Sequence, residues 1–520
     1  MAALFLFSCS GGEKNKAVDD SPVVATVGSE KITAAEFRRD YELGFGHLKT
    51  GENKKKTYLN YMINEKLLAQ KGYQLGLDES PAIKAAATEL RQEAMIETLI
   101  NQEVKSRIKV TPEEIREEIN RAHVSFKLRY WPEPTLNQAQ EVAQQMREKG
   151  YADVVDELIS QIPERRIDPA KLTTDWLTNM DVSPKILAAV QELPYGDISE
   201  PVEINGRYYI FQVVDIKRRS ITQNTYKAEA SRYEQVIFYR KFKKALNNYI
   251  SDLMAPKNIV TKRSSFDLLE AALREWQQTA PENREKFLQT VNNAGEDKPV
   301  LQKLRENMDQ VFFTYIDGEL TLREFLYYFE ADRFLARRHD KEYFTRELHA
   351  AVKQTIRDYF MLQKARNMDL QDSPEVEQQL KMWRDKWVYD ATRDYLTRNL
   401  SADSLQLRAY FEKHRQRYQT SQDSSVSFRQ AISRVRSDFY REQAASELRP
   451  ELRQLRKQYE VSINESVLDT ISVTDFQKSR WAHFEILKSG SNRPAFPSVD
   501  PMWAPTGVSP DTAGTDLLLN

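Results

Sequence analysis

Val27-Gly28-Ser29-Glu30-Lys31-Ile32-Thr33-Ala34-Ala35-Glu36-Phe37 and Tyr315-Ile316-Asp317-Gly318-Glu319-Leu320-Thr321-Leu322-Arg323-Glu324-Phe325 carry one pattern twice. Each has a polar turn, an apolar residue, a Thr placed as helix N-cap and a Glu three positions later, the signature of a capping box. Both stretches therefore predict a turn followed directly by a helix. The likeness continues downstream. A helix with Leu59, Ile63 and Leu67 on one face answers to one with Val352, Ile356 and Phe360, the spacing of a core-facing stripe. Ile63, Gln70, Lys71, Leu77, Ser80 and Pro81 recur as Ile356, Gln363, Lys364, Leu370, Ser373 and Pro374, where chance at average composition gives about one identity. The offset between copies stays nearly constant as far as Ile115–Ile119 against Leu407–Phe411. It then shortens by about 90 residues before the set Ser264, Phe266, Asp267, Leu269 meets Ser466, Leu468, Asp469, Ile471. A segment the size of a small domain is thus expected inside the first copy and absent from the second.

Composition narrows the classes around this repeat. The chain has 520 residues, enough for three or four domains on length alone. Its 76 Lys and Arg balance 77 Asp and Glu, so no whole-chain field favours nucleic acid, and none is expected as a partner. One cysteine forms no internal disulfide, and six scattered histidines offer no metal-ligand spacing. No cofactor or metal is expected, and no phosphate loop, nucleophile elbow or paired-carboxylate motif stands out. No apolar run reaches the length of a membrane span.

The inserted segment reads as an α+β layer. Val124 to Trp131 alternates as a strand, Asn137 to Gly150 is a helix ending at glycine, and Tyr208 to Ile216 is an apolar strand after Asn205-Gly206. Trp176, Met180 and Ile186-Leu187-Ala188-Ala189-Val190 lead into Leu193-Pro194-Tyr195-Gly196-Asp197-Ile198-Ser199-Glu200-Pro201-Val202. This run, above all Gly196 to Val202 ahead of a glycine and a closing strand, resembles the parvulin family of peptidyl-prolyl isomerases (PpiC-like). The stretch from Val24 to Phe37 and the helices after it resemble the chaperone region of SurA-, PrsA- and PpiD-type envelope foldases. In that family a parvulin domain interrupts the chaperone helices, an arrangement the offset of the repeat shows independently. The resemblance covers Val23 to Leu269 and, by repetition, Val311 to Ile471.

The fold expected is α+β and mostly helical, a duplicated SurA-like unit whose first copy is interrupted by a parvulin-like domain. The segments are a lipoprotein signal and tether at 1–22, a first chaperone unit at 23–122 plus 220–272, and the parvulin-like domain at 123–219. A linker at 273–308, a second unit at 309–475 and an extended tail at 476–520 complete the chain. The family's polar groups are not matched: Phe126 and Tyr209 stand where the resemblance places histidines, and Thr173 near its acid or thiol, with Lys171-Leu172-Thr173 in place of Gly-Gly. No catalytic residue is therefore assigned. His123 and Asp175 lie beside these positions without aligning, and His123 reads as a solvated loop histidine. Trp176, Met180, Ile186 and Tyr209 are the candidates for a peptide groove; the first three serve equally as domain core.

Leu6-Phe7-Ser8-Cys9 resembles the lipobox of bacterial lipoproteins, which implies acylation of Cys9 and a membrane contact through that lipid alone. Ser10 after the cysteine resembles outer-membrane sorting. Taken together, these features suggest an ATP-independent chaperone or foldase of the periplasmic cell envelope that binds unfolded or extended proteins, outer-membrane proteins among them. The 24 Tyr and 23 Phe, clustered at Phe312-Phe313, Tyr327-Tyr328-Phe329 and Tyr359-Phe360, would line a cradle for such clients or pack a core. The alternatives are an active prolyl isomerase rearranged around Tyr209, Thr173 or Asp175, and a lipoprotein scaffold for one envelope partner.

Overall fold

A computed structural model describes residues 21–161, 167–179, 181–334, 340–419, 426–473 and 496–504. It opens with β1 (Val23–Val27), β2 (Glu30–Thr33), α1 (Ala34–Leu43), α2 (Lys54–Gln74), α3 (Pro81–Glu103) and α4 (Pro112–Ala122). Then follow β3 (Val124–Glu133), α5 (Leu136–Lys149), α6 (Tyr151–Ser160), α7 (Pro184–Val190), β4 (Val202–Ile204), β5 (Arg207–Arg218), α8 (Gln223–Met254), β6 (Val260–Thr261) and α9 (Arg263–Gln277). After α10 (Phe287–Asn293) and α11 (Pro299–Glu306) the opening series returns as β7 (Val311–Tyr315), β8 (Gly318–Thr321), α12 (Leu322–Tyr328), α13 (Lys341–Arg366), α14 (Pro374–Thr397) and α15 (Ser404–Lys413). The described chain closes with α16 (Phe428–Gln458), β9 (Val461–Ile463) and α17 (Glu465–Thr470). The architecture is α+β and mostly helical, as expected.

The local chemistry of the two quoted stretches is alike. Each forms a hairpin with a two-residue turn, closed by Val27 opposite Glu30 and by Tyr315 opposite Gly318. In the first, Gly28 takes φ +59°, a conformation that side chains resist. Thr321 makes a complete capping box with Glu324. Thr33 accepts from the Glu36 amide at 3.1 Å, while the Glu36 carboxylate pairs with Lys66 at 3.2 Å. Where α4 and α8 are separated by β3 to β5, α15 and α16 are separated only by the stretch from Lys413 to Phe428.

The strands close crosswise. The hairpin β1–β2 is extended by β9, the closing strand of the second series, with Ala25 opposite Ile463 and Val27 opposite Val461. The hairpin β7–β8 is extended by β6, from the end of the first series, with Val260 opposite Thr314. Helices follow the same exchange: α2 packs on α14 and α13 on α3. The sequence expectation grouped 220–272 with the opening hairpin of its own copy; Phe266, Leu269 and Leu273 lie instead in one core with Phe312, Phe325 and Phe360.

 The core residues of that group, Leu269 among them, are fully or almost fully buried. Residues 24–69 share a second core with Leu448, Leu452, Leu455, Leu468 and Ile471. Either closing segment satisfies the same apolar pattern, so only packing selects which hairpin it joins.

Two further expectations change. Residues 273–308, expected as a linker, are folded: Trp276, Phe287, Val291, Leu301 and Leu304 are buried in the core, and the Trp276 and Phe287 rings meet edge to face at 5.6 Å. Their Asn, Glu, Gly and Pro neighbours hid this apolar spacing. Part of the expected tail, residues 496–504, is also docked, with Val499 and Ala504 buried. The aromatic clusters are mostly core, since Phe312, Phe313 and Phe360 are buried while Tyr327 remains exposed.

By contact the described residues divide into 104–248 and 21–103 with 249–504. In the second of these, α2 approaches α14 so closely at Gly72 that an added Cβ would sit 2.5 Å from Val388 Cγ1 and closer still to Thr392 Oγ1. Gly72→Ala should therefore destabilise by about 1–3 kcal/mol through overpacking, and Trp276→Ala by about 3–5 kcal/mol, both read by denaturant unfolding. An unchanged midpoint for Trp276→Ala would show that residues 273–308 are not part of the core.

Candidate functional site

Three antiparallel strands in the order β3-β5-β4 form the sheet of the 104–248 unit. A bulge between Lys127 and Leu128 offsets the long β3–β5 ladder. One face packs on α5 and α6 through Trp131, Ile210, Val142, Met146 and Val155. The other carries Phe126, Leu128, Phe211 and Val213, buried with Val190 of α7, and is rimmed by the half-buried Tyr130, Leu177, Ile186 and Tyr209. This alternation follows from the two-residue period of a strand.

The residues singled out by sequence distribute unevenly over that face. Phe126 is buried opposite Ile216, and its amide and carbonyl both bond to Leu177, at 2.7 and 2.8 Å. Tyr209 lies opposite Pro132 at the far end of the same ladder, about 20 Å away along the strands. The two positions therefore do not converge on one bond. Tyr209 stacks on Phe211 with centroids 6.3 Å apart and meets Tyr130 at the same distance. Ile186 packs on the same cluster as Tyr209. Trp176 does not share it; the Lys217 ammonium lies 3.8 Å from its ring centroid. Met180 lies outside the described residues, as does Cys9.

Thr173 bridges to Arg129 through the backbone, and Asp175 is exposed. Burial holds the Tyr151 phenol above its usual range, while the Thr178 amide and hydroxyl lower the Asp181 carboxyl. His123, read from sequence as a solvated loop histidine, is instead buried at the end of α4, with Nε2 3.1 Å from Glu229 Oε2 on α8. Its proximity to an acidic partner 106 residues later in the chain left no local mark in the sequence.

The same reasoning missed the carboxylate that ties the unit together. Glu118 of α4 is buried and accepts from Asn179 Nδ2 at 2.8 Å and from the Arg240 guanidinium at 3.0 and 3.3 Å. One side chain thus joins α4, the loop before α7 and α8. Charge-assisted bonds of this forked kind fix geometry as well as energy. The face itself offers apolar and aromatic surface, suited to holding an extended chain segment rather than moving a proton. Among the described residues, one group of three carboxylates close enough for a metal occurs, Glu89, Glu93 and Glu330, in the other unit. Arg333 is ion-paired to Glu89 and Glu330, at 2.6 and 2.5 Å, which places a cation there already.

No protein-family model and no curated protein matches the chain. Solved structures that match include a peptidylprolyl isomerase (PrsA) from Bacillus cereus, 15% identical over 43% of this chain and 86% of that one, with a TM-score of 0.23. A Campylobacter jejuni structure, from work on PEB4 and Cj1289 described as SurA-like chaperones, is 18% identical over 46% and 100%, with a TM-score of 0.17. PrsA from Bacillus subtilis is 14% identical over 53% and 100%, with a TM-score of 0.15. At these scores the likenesses carry no assignment.

Glu118→Ala leaves the Asn179 amide without its acceptor and should cost about 1–3 kcal/mol. Thermal unfolding followed by near-ultraviolet dichroism tests this, and an unchanged transition would remove Glu118 from the role given to it.

Proposed function

We propose that the chain is an ATP-independent chaperone of the cell envelope that captures unfolded or extended proteins. On this reading residues 123–219 are a degenerate parvulin-like domain, set within the first of two SurA-like series of helices. The observation that carries the proposal is the half-buried rim of Tyr130, Tyr209, Ile186 and Leu177 around a closed apolar core. Tyr209 stands there at one of the two positions where the resemblance would place a histidine. Such a rim gains free energy from any apolar segment laid across it, at about 25 cal/mol per Å² removed from water. It does so without a fixed hydrogen-bonding code, which suits varied clients.

Acylation at Cys9 would anchor the protein, two acyl chains being enough for stable attachment where one is marginal. The compartment expected is the periplasmic side of the outer membrane, with outer-membrane proteins among the clients. An envelope chaperone works without nucleotide, so capture and release rest on reversible apolar contact.

The test uses one preparation lacking residues 1–22, assayed for suppression of aggregation of an unfolded outer-membrane protein and for isomerisation of a short X-Pro peptide. Suppression that weakens on Tyr209→Ser, with no isomerisation above background, is the expected result. An isomerisation rate that falls on Tyr209→Phe or Asp175→Ala would make the chain an enzyme with a relocated site. Silence in both assays would favour a scaffold for one partner.

A further inference from the structure

Residues 496–504 cross the helical unit as a strap that ends in one tight turn, Pro501–Trp503. Asp500 caps this turn, its Oδ1 accepting from the Met502 amide at 2.8 Å. Its Oδ2 accepts from the Tyr389 hydroxyl at 3.0 Å and from the Arg393 guanidinium, both on α14. Glu65 of α2 accepts the Asp500 amide at 2.6 Å and the Trp503 indole N–H at 3.2 Å. The indole lies nearly parallel to Tyr61, with centroids 6.3 Å apart and 10° between the planes.

The charged groups of the groove have partners besides the strap. Glu65 is already paired with Lys386 at 2.9 Å, and Arg393 with Asp390 and Asp394 at 3.0 and 2.9 Å. Withdrawing the strap therefore leaves neither Glu65 nor Arg393 without a counter-ion. The walls, α2, α14 and α16, pack on one another directly. The strap is sunk unevenly: Val499, Asp500 and Ala504 are buried, Met502 and Trp503 half-buried and Pro501 exposed. Its contacts are those by which a groove reads a peptide: a main-chain amide on a carboxylate, a carboxylate on a guanidinium and a hydroxyl, and a stacked aromatic ring.

We infer that this groove is a peptide-binding site whose resident occupant is the chain's own segment 496–504. In its place the groove takes a client segment of the same chemistry, a carboxylate followed three residues later by an aromatic side chain. The identity of that occupant as a client rests on the chaperone reading above. A tethered ligand competes at an effective concentration of the order of millimolar, so the intact chain holds the groove mostly closed to added peptide.

The probe is a fluorescein-labelled peptide with the sequence of residues 496–504, titrated by anisotropy with full-length chains. The double variant Asp500→Ala with Trp503→Ala, which releases the strap, should bind it about tenfold or more tighter than the natural chain. Adding Arg393→Ala to that variant should abolish the gain. A folded double variant that binds no tighter than the natural chain overturns the inference. If the double variant does not fold, Trp503→Phe keeps the aromatic ring and removes one hydrogen bond; a severalfold gain is then expected, and no gain overturns the inference equally. Aggregation suppression is measured on the same chains. Suppression without peptide binding discards the groove and leaves the chaperone reading standing, whereas peptide binding without suppression retains the groove as a peptide site and sinks that reading.

Discussion

The close approach of α2 to α14 is the constraint on which the rest of the helical unit depends. Gly72 supplies no side chain at the crossing, and Val388 and Thr392 occupy the space a Cβ would need. With α2 held there, the opening hairpin lies where β9 can extend it, and α3 lies against α13 and α14. The first and second series of elements thus close each other rather than themselves. Close packing makes this arrangement stiff, because the interior of a protein tolerates little change in volume.

The exchange governs the order of folding. Contacts between β1 and β9 join residues more than 430 positions apart, as the Thr26–Ser462 hydroxyl contact at 2.7 Å illustrates. Closing so long a loop costs entropy before any contact forms, so folding of this unit must wait for most of the chain. The 260–360 region, by contrast, draws its core from one continuous stretch. Contacts local in sequence assemble faster than distant ones, and this region is expected to form ahead of the core around α2.

Much of the local structure was legible because short-range chemistry controls it. Thr33 and Thr321 cap helices whatever packs against them. The alternation in Val124–Trp131 and the apolar run in Tyr208–Ile216 became β3 and β5 with only small changes at the ends. Among the candidate residues, Ile186 and Tyr209 do share one apolar face, while Trp176 lies apart from it and Phe126 sits at the other end of the ladder. Register decides such proximity, and a bulge at Lys127 is enough to shift it. The fold of 273–308 was illegible because its turn-forming residues outnumber its anchors, Trp276, Phe287 and Leu301.

Sequence alone determined where several helices and strands begin, that one pattern recurs, and that an α+β layer lies inside its first occurrence. These follow from backbone preference and side-chain period, which act over a few residues. Only the tertiary structure decided which closing strand joins which hairpin, that His123 is buried against Glu229, and that Asp500 and Trp503 bring residues 496–504 onto α2 and α14. Two segments with the same apolar pattern are interchangeable in one dimension; shape and counter-charge distinguish them only when their partners stand beside them in three.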